Sequence, residues 1–101
     1  MRAEEGKPEE AREADGPLPM PEASFMTLVA GLSTQVLMNL GEFPHPVSGK
    51  KEKDLDHAKY TIDLLGVIKE KTHGNLSAEE QEAIDITLYE LRMKYVVVAG
   101  F

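Results

Sequence analysis

An uncharged, mostly apolar stretch, residues 24–41, stands out in a chain whose remaining segments are rich in charge. Its apolar side chains recur at the spacing of one helix face, and a second apolar strip follows about a quarter-turn away at ~100° per residue. Ser24 is suited to cap the start of this helix, and Gly41 is suited to end it in a left-handed conformation. The pattern predicts a helix that is apolar nearly all round, which is typical of a helix covered on more than one side.

Two further helices are indicated by apolar spacing and by capping signals. The second is predicted over about 55–72, with Asp54 as its N-cap and Gly74 just beyond its end. The third is predicted to begin after Ser77, because Ser77 and Glu80 have the S-x-x-E spacing of a capping box. The apolar C-terminal end of the chain is compatible with a frayed helix end or with a short strand that pairs with another chain.

The segments outside the helices are a proline-containing loop and an acidic start. The loop between the first two helices has about a dozen residues, a length that indicates either ordering by packing or a function. Residues 1–22 contain seven acidic and three basic residues and four prolines. Such a segment buries too little apolar surface to fold, so we expect 1–22 to be a disordered acidic tail and 23–101 a helical domain. The tail is interpreted as solubilising, with the binding of a basic partner as the alternative.

The predicted fold class is all-α: a three-helix domain in which the second and third helices form an antiparallel hairpin and the highly apolar first helix packs across them. A three-helix core needs one apolar stripe from each helix, yet each helix has apolar residues on two sides. Exposed apolar surplus of this kind usually marks an interface, and we therefore predict a homo-dimer, with an unidentified protein partner as a further possibility. The alternative is that the loop or the C-terminal end covers part of the surplus. The candidate interface residues are Phe25, Met26, Leu28, Val29, Leu32, Val36, Leu37, Tyr60, Leu64, Ile86, Tyr89 and Met93.

Composition excludes several classes of function. The chain has 101 residues, no cysteine and a net charge of −7, which argues against disulfides and against a nucleic-acid surface. No apolar secretory signal is present near the start, so a cytoplasmic protein is expected. The uncharged run is about sixteen residues, shorter than the roughly twenty that span a bilayer, so no stable membrane insertion is expected.

No pattern of catalytic or ligand-binding residues is evident. His45, His57 and His73 share no i,i+4 face and do not form an H-E-x-x-H motif. None of the four serines lies in a G-x-S-x-G context, and no residues indicate a metal or a cofactor. The sequence therefore favours a non-enzymatic protein.

Several short motifs occur in a characteristic order along the chain. They are LGEFPHP at 40–46, TIDLL at 61–65, KTHGNLSAEE at 71–80 and LYELRMKYV at 88–96. With these motifs the chain resembles, from about Phe25 to Val96, a family of short bacterial proteins described only as a domain of unknown function. The resemblance implies a bacterial, cytosolic and mainly helical protein, and it supplies no activity, cofactor or residue role.

Three hypotheses of function follow. The first is a small, non-enzymatic, self-associating protein-interaction module. The second is small-molecule binding or catalysis at an oligomer interface, built from the proline loop and His45 or His57. The third is peripheral membrane association through the first helix.

Overall fold

Three helices form the part of the chain that the structure, a computed structural model, describes, which is residues 20–100. They are α1 (Phe25–Asn39), α2 (Leu55–Lys71) and α3 (Ala78–Ala99). Within residues 20–100 the only β-type pairing is an isolated antiparallel bridge between Leu40 and Lys53. The predicted all-α, three-helix fold is confirmed, whereas most of the predicted tail, residues 1–19, lies outside the described residues.

The starts of α1 and α2 are where their capping residues predict them. Ser24 Oγ accepts a hydrogen bond from the Thr27 N–H at 3.1 Å, and Asp54 Oδ1 accepts one from the His57 N–H at 3.0 Å. Each bond satisfies one of the first-turn N–H groups that have no partner inside the helix.

The start of α3 is a complete capping box. The Glu80 N–H donates to Ser77 Oγ at 3.1 Å, and the Ser77 N–H donates to Glu80 Oε1 at 2.9 Å. The helix continues to Ala99, and Gly100 ends it with a φ of 86°. The apolar C-terminal segment up to Ala99 is therefore helical, and its interpretation as a strand is wrong.

The end of α1 is a Schellman motif, which turns the chain back toward α2. Gly41 has a φ of 84°, and its N–H donates to the Met38 carbonyl at 3.0 Å. The next N–H, of Glu42, donates to the Leu37 carbonyl at 2.9 Å. This pair of bonds satisfies carbonyls that the helix end would otherwise leave unpaired, and glycine adopts the required left-handed conformation at little cost.

Each helix packs against the other two, and the core lies between them. The Asp54 N–H donates to the Asn39 carbonyl at 2.8 Å where α1 ends, and Gln35 contacts His57 one turn further in, so α1 and α2 are antiparallel. Lys69 and Asp85 form an ion pair at 2.8 Å across the predicted α2–α3 hairpin. The core consists of Val29, Val36, Leu40, Ala58, Ile62, Leu65, Ile84, Leu88 and Leu91, all at most 4% exposed.

The first helix is covered on only one face within a single chain. Val29 and Val36 are buried in the core, whereas Met26 and Leu28 are about half exposed. The expectation that α1 is covered on more than one side is therefore not met by the packing of the described residues.

Candidate functional site

The predicted interface residues separate into three groups by burial. Val29 and Val36 belong to the core of the single chain, so they are part of no exposed surface. Their burial follows from their position on the side of α1 that faces both other helices. Phe25, Leu32 and Leu37 are half-buried and pack against the core. The exposed members are Met26, Leu28, Tyr60, Leu64, Ile86, Tyr89 and Met93.

A first exposed apolar surface lies along the α1–α2 pair. The Gln35 Nε2 and His57 Nε2 atoms are 3.1 Å apart, which fixes the register of the two antiparallel helices. Leu28 lies two turns before Gln35 and Leu64 two turns after His57, so both occupy the same side of the pair at the same level. We call Leu28, Gly31, Tyr60, Leu64 and Val67 the α1–α2 face; its four apolar side chains are 36–61% exposed.

A second exposed apolar surface lies on the outer side of α3. Ile86, Tyr89, Met93 and Val97 are between 48% and 75% exposed, and we call these four residues the α3 outer face. At ~100° per residue they lie on the side of α3 opposite its core residues Ile84, Leu88 and Leu91. The two faces therefore point away from each other across the bundle.

An open cleft of about 870 Å³ lies where the end of α1, the proline loop and the first turn of α2 meet. Polar side chains from all three segments line it, among them Gln35, Asn39, His45 and His57. The Nδ2 atom of Asn39 is buried and has no hydrogen-bond partner among the described residues. An unpaired buried donor of this kind costs about 1–3 kcal/mol.

The histidines of the cleft are held in structural contacts. The His57 ring contacts Gln35 and packs edge-on against Tyr60, with ring centroids 6.2 Å apart. His45 Nδ1 accepts a hydrogen bond from the Val47 N–H at 3.1 Å and so orders the loop. Within residues 20–100, no three His, Asp or Glu residues are placed to hold a metal ion. The geometry therefore provides an open polar cleft whose two histidines are engaged in contacts within the chain.

Sequence reasoning missed part of this arrangement. Val97 belongs to the α3 outer face but was not among the candidate interface residues. The signal for it was present, because Val97 continues the stripe of exposed apolar residues four positions after Met93. No local signal indicates the contact between Gln35 and His57, because the two residues are 22 positions apart.

The match to a protein-family model covers nearly all of the three helices. The family model described as "Domain of unknown function (DUF1844)" matches residues 22–97, well over half of the chain. The chain belongs to this family. The resemblance predicted from the ordered motifs is thereby confirmed. The matched segment begins just before α1 and ends two residues before the end of α3.

Other comparisons add no functional assignment. No curated protein and no solved structure is significantly similar to the chain. Among residues 20–100, no helix is both long and apolar enough to cross a membrane.

Proposed function

We propose that this member of the DUF1844 family is a non-enzymatic protein-interaction module that self-associates, most simply as an isologous dimer. The observation that carries the proposal is the α1–α2 face, an exposed apolar surface with one side formed by a helix without any charged residue.

The absence of charge on α1 favours a second copy as the occupant of this face. The solvated face of a helix normally carries charged residues, whereas the exposed positions of α1 are Met26, Leu28, Ala30, Gly31 and Thr34. In an isologous contact the residues near the two-fold axis meet their own copies, so a charge at such a position would face a like charge. An uncharged helix avoids that repulsion and requires no desolvation of ions.

Gly31 supports close approach of another helix at the same place. A glycine inside a helix costs about 0.5–1 kcal/mol relative to alanine. No atom lies within 4 Å of the position that a Cβ of Gly31 would occupy, so packing within the chain does not require glycine there. A partner helix that crosses α1 at Gly31 would use the space that the missing side chain leaves.

The size of a stable dimer interface shows which residues must take part. Such an interface buries about 800 Å² per partner. The helix α1 is only about 22 Å long, so its exposed face must be joined by that of α2. Leu28 and Leu64, at the same level on the two helices, would then both lie in the interface.

The solution mass of the full-length chain tests the proposal. We expect light scattering to give twice the chain mass and the substitutions Leu28→Glu and Leu64→Glu to give a monomer. The matched control is Tyr89→Glu, which places the same charge on the α3 outer face and should leave the dimer intact. Circular dichroism should show unchanged helix content in all three variants, because the substituted side chains are 36–67% exposed.

Two results would contradict self-association through this face. One is a monomeric wild-type protein at every concentration; the other is a dimer that Leu28→Glu and Leu64→Glu leave unchanged. If the monomer co-sediments with lipid vesicles and Leu28→Glu abolishes co-sedimentation, the face serves peripheral membrane association instead.

A second candidate function is the binding of a small polar molecule in the cleft, and the polar side chains that line the cleft favour it. We expect acetamide or acetate, added at millimolar concentration, to shift the side-chain NMR signals of Asn39 together with those of His45 and His57. The variant Asn39→Leu should remove the shifts at both histidines. Signals that do not move, or that move equally in the variant, would exclude a specific site.

A further inference from the structure

The α3 outer face is left uncovered by self-association through the α1–α2 face, because the two surfaces point in opposite directions. Its members include Tyr89, which is 67% exposed, and Val97, which is 75% exposed. From Ile86 to Val97 the stripe extends about 16 Å along the helix, which corresponds to three turns of a partner helix. Apolar residues spaced by three and four are the pattern by which one helix packs against another.

The border of this stripe is acidic. Glu79, Glu82 and Glu90 are exposed, and none of them forms an ion pair among the described residues. At ~100° per residue, all three lie within about 60° of the centre of the stripe, whereas Arg92 and Lys94 lie about 100° away. An apolar stripe with unpaired carboxylates beside it is complementary to an apolar stripe bordered by cations.

Two nearby lysines are already engaged elsewhere, so they do not neutralise this border. Lys94 Nζ is 3.7 Å from Glu42 Oε2, on the side of α3 toward the loop. Lys69 Nζ is 2.8 Å from Asp85 Oδ1, on the side toward α2. The three free carboxylates therefore set the sign of the charge beside the stripe.

We propose that the α3 outer face binds an amphipathic helix of another protein whose apolar stripe, of about three turns, is bordered by Lys or Arg. Neither α1, which carries no charge, nor a second α3, which carries the same acidic border, offers such a stripe. The proposal does not rest on self-association and concerns a different surface.

A pair of synthetic helical peptides tests the proposal with the full-length chain. Both carry Leu at i, i+3, i+4 and i+7 over about 18 residues; one has Lys at the bordering positions and the other has Glu. Fluorescence anisotropy at about 0.15 M salt, where exposed charges more than about 8 Å apart are screened, measures binding of each labelled peptide. We expect the Lys peptide to bind roughly tenfold or more tightly than the Glu peptide.

Substitutions locate the binding surface. The double variant Tyr89→Ala with Met93→Ala should weaken binding of the Lys peptide roughly tenfold, because it removes two central apolar contacts. The matched control, Met20→Ala with Val47→Ala, removes two exposed apolar side chains outside both faces and should leave binding unchanged. Because all four side chains are exposed, circular dichroism should show every variant folded.

A second pair of variants separates the acidic border from the net charge of the chain. Glu82→Gln with Glu90→Gln should weaken binding of the Lys peptide and reduce its salt dependence. Glu52→Gln with Glu70→Gln removes the same charge at exposed positions outside α3 and should have no effect.

Four outcomes of the peptide measurements would overturn the proposal. They are equal binding of the two peptides, no binding of the Lys peptide at millimolar protein, equal effects of the two Gln pairs, and binding insensitive to Tyr89→Ala with Met93→Ala. Light scattering on the same variants shows which of the two surfaces is used for self-association. If Tyr89→Ala with Met93→Ala dissociated a dimer, the α3 outer face would be an interface between copies and the proposed partner helix would be wrong.

Discussion

Removal of the Ser77 hydroxyl tests how far the start of α3 contributes to the stability of the domain. Its oxygen accepts the Glu80 N–H at 3.1 Å, and the reciprocal bond to Glu80 Oε1 is 2.9 Å. Replacement of an N-cap serine by alanine costs about 1 kcal/mol. Because α3 supplies Ile84 and Leu88 to the core, a frayed first turn weakens the whole domain. We therefore expect Ser77→Ala to lose about 1 kcal/mol, which corresponds to a melting temperature about 4–8 °C lower.

Urea unfolding followed by circular dichroism measures this loss as a lower midpoint with an unchanged slope. Ser77→Asp should retain most of the stability, since aspartate caps as well as serine does. The double variant Ser77→Ala with Glu80→Ala should lose less than the sum of the single variants, because the two bonds depend on each other. If Ser77→Ala matched the wild type, or if Ser77→Asp lost as much as Ser77→Ala, the capping box would not stabilise α3 as argued.

Three further predictions concern the core, the hairpin turn and the ion pair between α2 and α3. Leu65→Ala should cost about 2–5 kcal/mol in urea unfolding, because Leu65 is fully buried, whereas the half-exposed Val67→Ala should cost far less; equal losses would place the core elsewhere. Gly74→Ala should lower the melting temperature, because the φ of 87° disfavours a side chain by about 1–2 kcal/mol; an unchanged temperature would contradict the turn geometry. The hydrogen bond from Lys69 lowers the pKa of the Asp85 carboxyl. The stability that the charged carboxylate contributes to the fold is therefore fully present above the ordinary carboxyl pKa and is lost as the pH falls through the lowered value. Asp85→Asn should therefore melt below the wild type near neutral pH, and the difference should disappear in strong acid; a constant difference would refute this linkage.

The ends of the helices could be predicted because they depend on residues within one turn. Ser24, Asp54 and Ser77 each cap the helix that follows, as their side chains and positions indicate. Gly41 and Gly74 have positive φ values just beyond α1 and α2. A cap satisfies nearby N–H groups and a glycine relieves local backbone strain, so neither depends on the rest of the fold.

The burial of individual residues on α1 was predicted less well. Leu28 shares an apolar stripe with Val29 in the sequence, yet Leu28 is 48% exposed and Val29 is buried. Periodicity shows that two strips exist, but it does not show the angle at which α2 and α3 approach the helix. Thr61 illustrates the converse: it is polar and nevertheless 1% exposed, because it lies between the core positions Ala58 and Leu65.

The family was indicated by the sequence, since its motifs occur in order and the family model matches residues 22–97. The candidate sites required the tertiary structure. The cleft is lined by Gln35 and Asn39 of α1, by His45 of the loop and by His57 of α2. Only the antiparallel packing of α1 and α2 brings these side chains together.

The sequence by itself determined the number of helices, their capped ends and their apolar surplus, because each depends on local spacing and local hydrogen bonds. The tertiary structure decided which part of that surplus forms the core and which part forms two faces on opposite sides of the bundle. The physical reason is that a side chain is buried only where a second helix packs against the side of the helix on which it lies. A stripe such as Ile86, Tyr89 and Met93 is exposed only because the opposite side of α3 packs against α1 and α2.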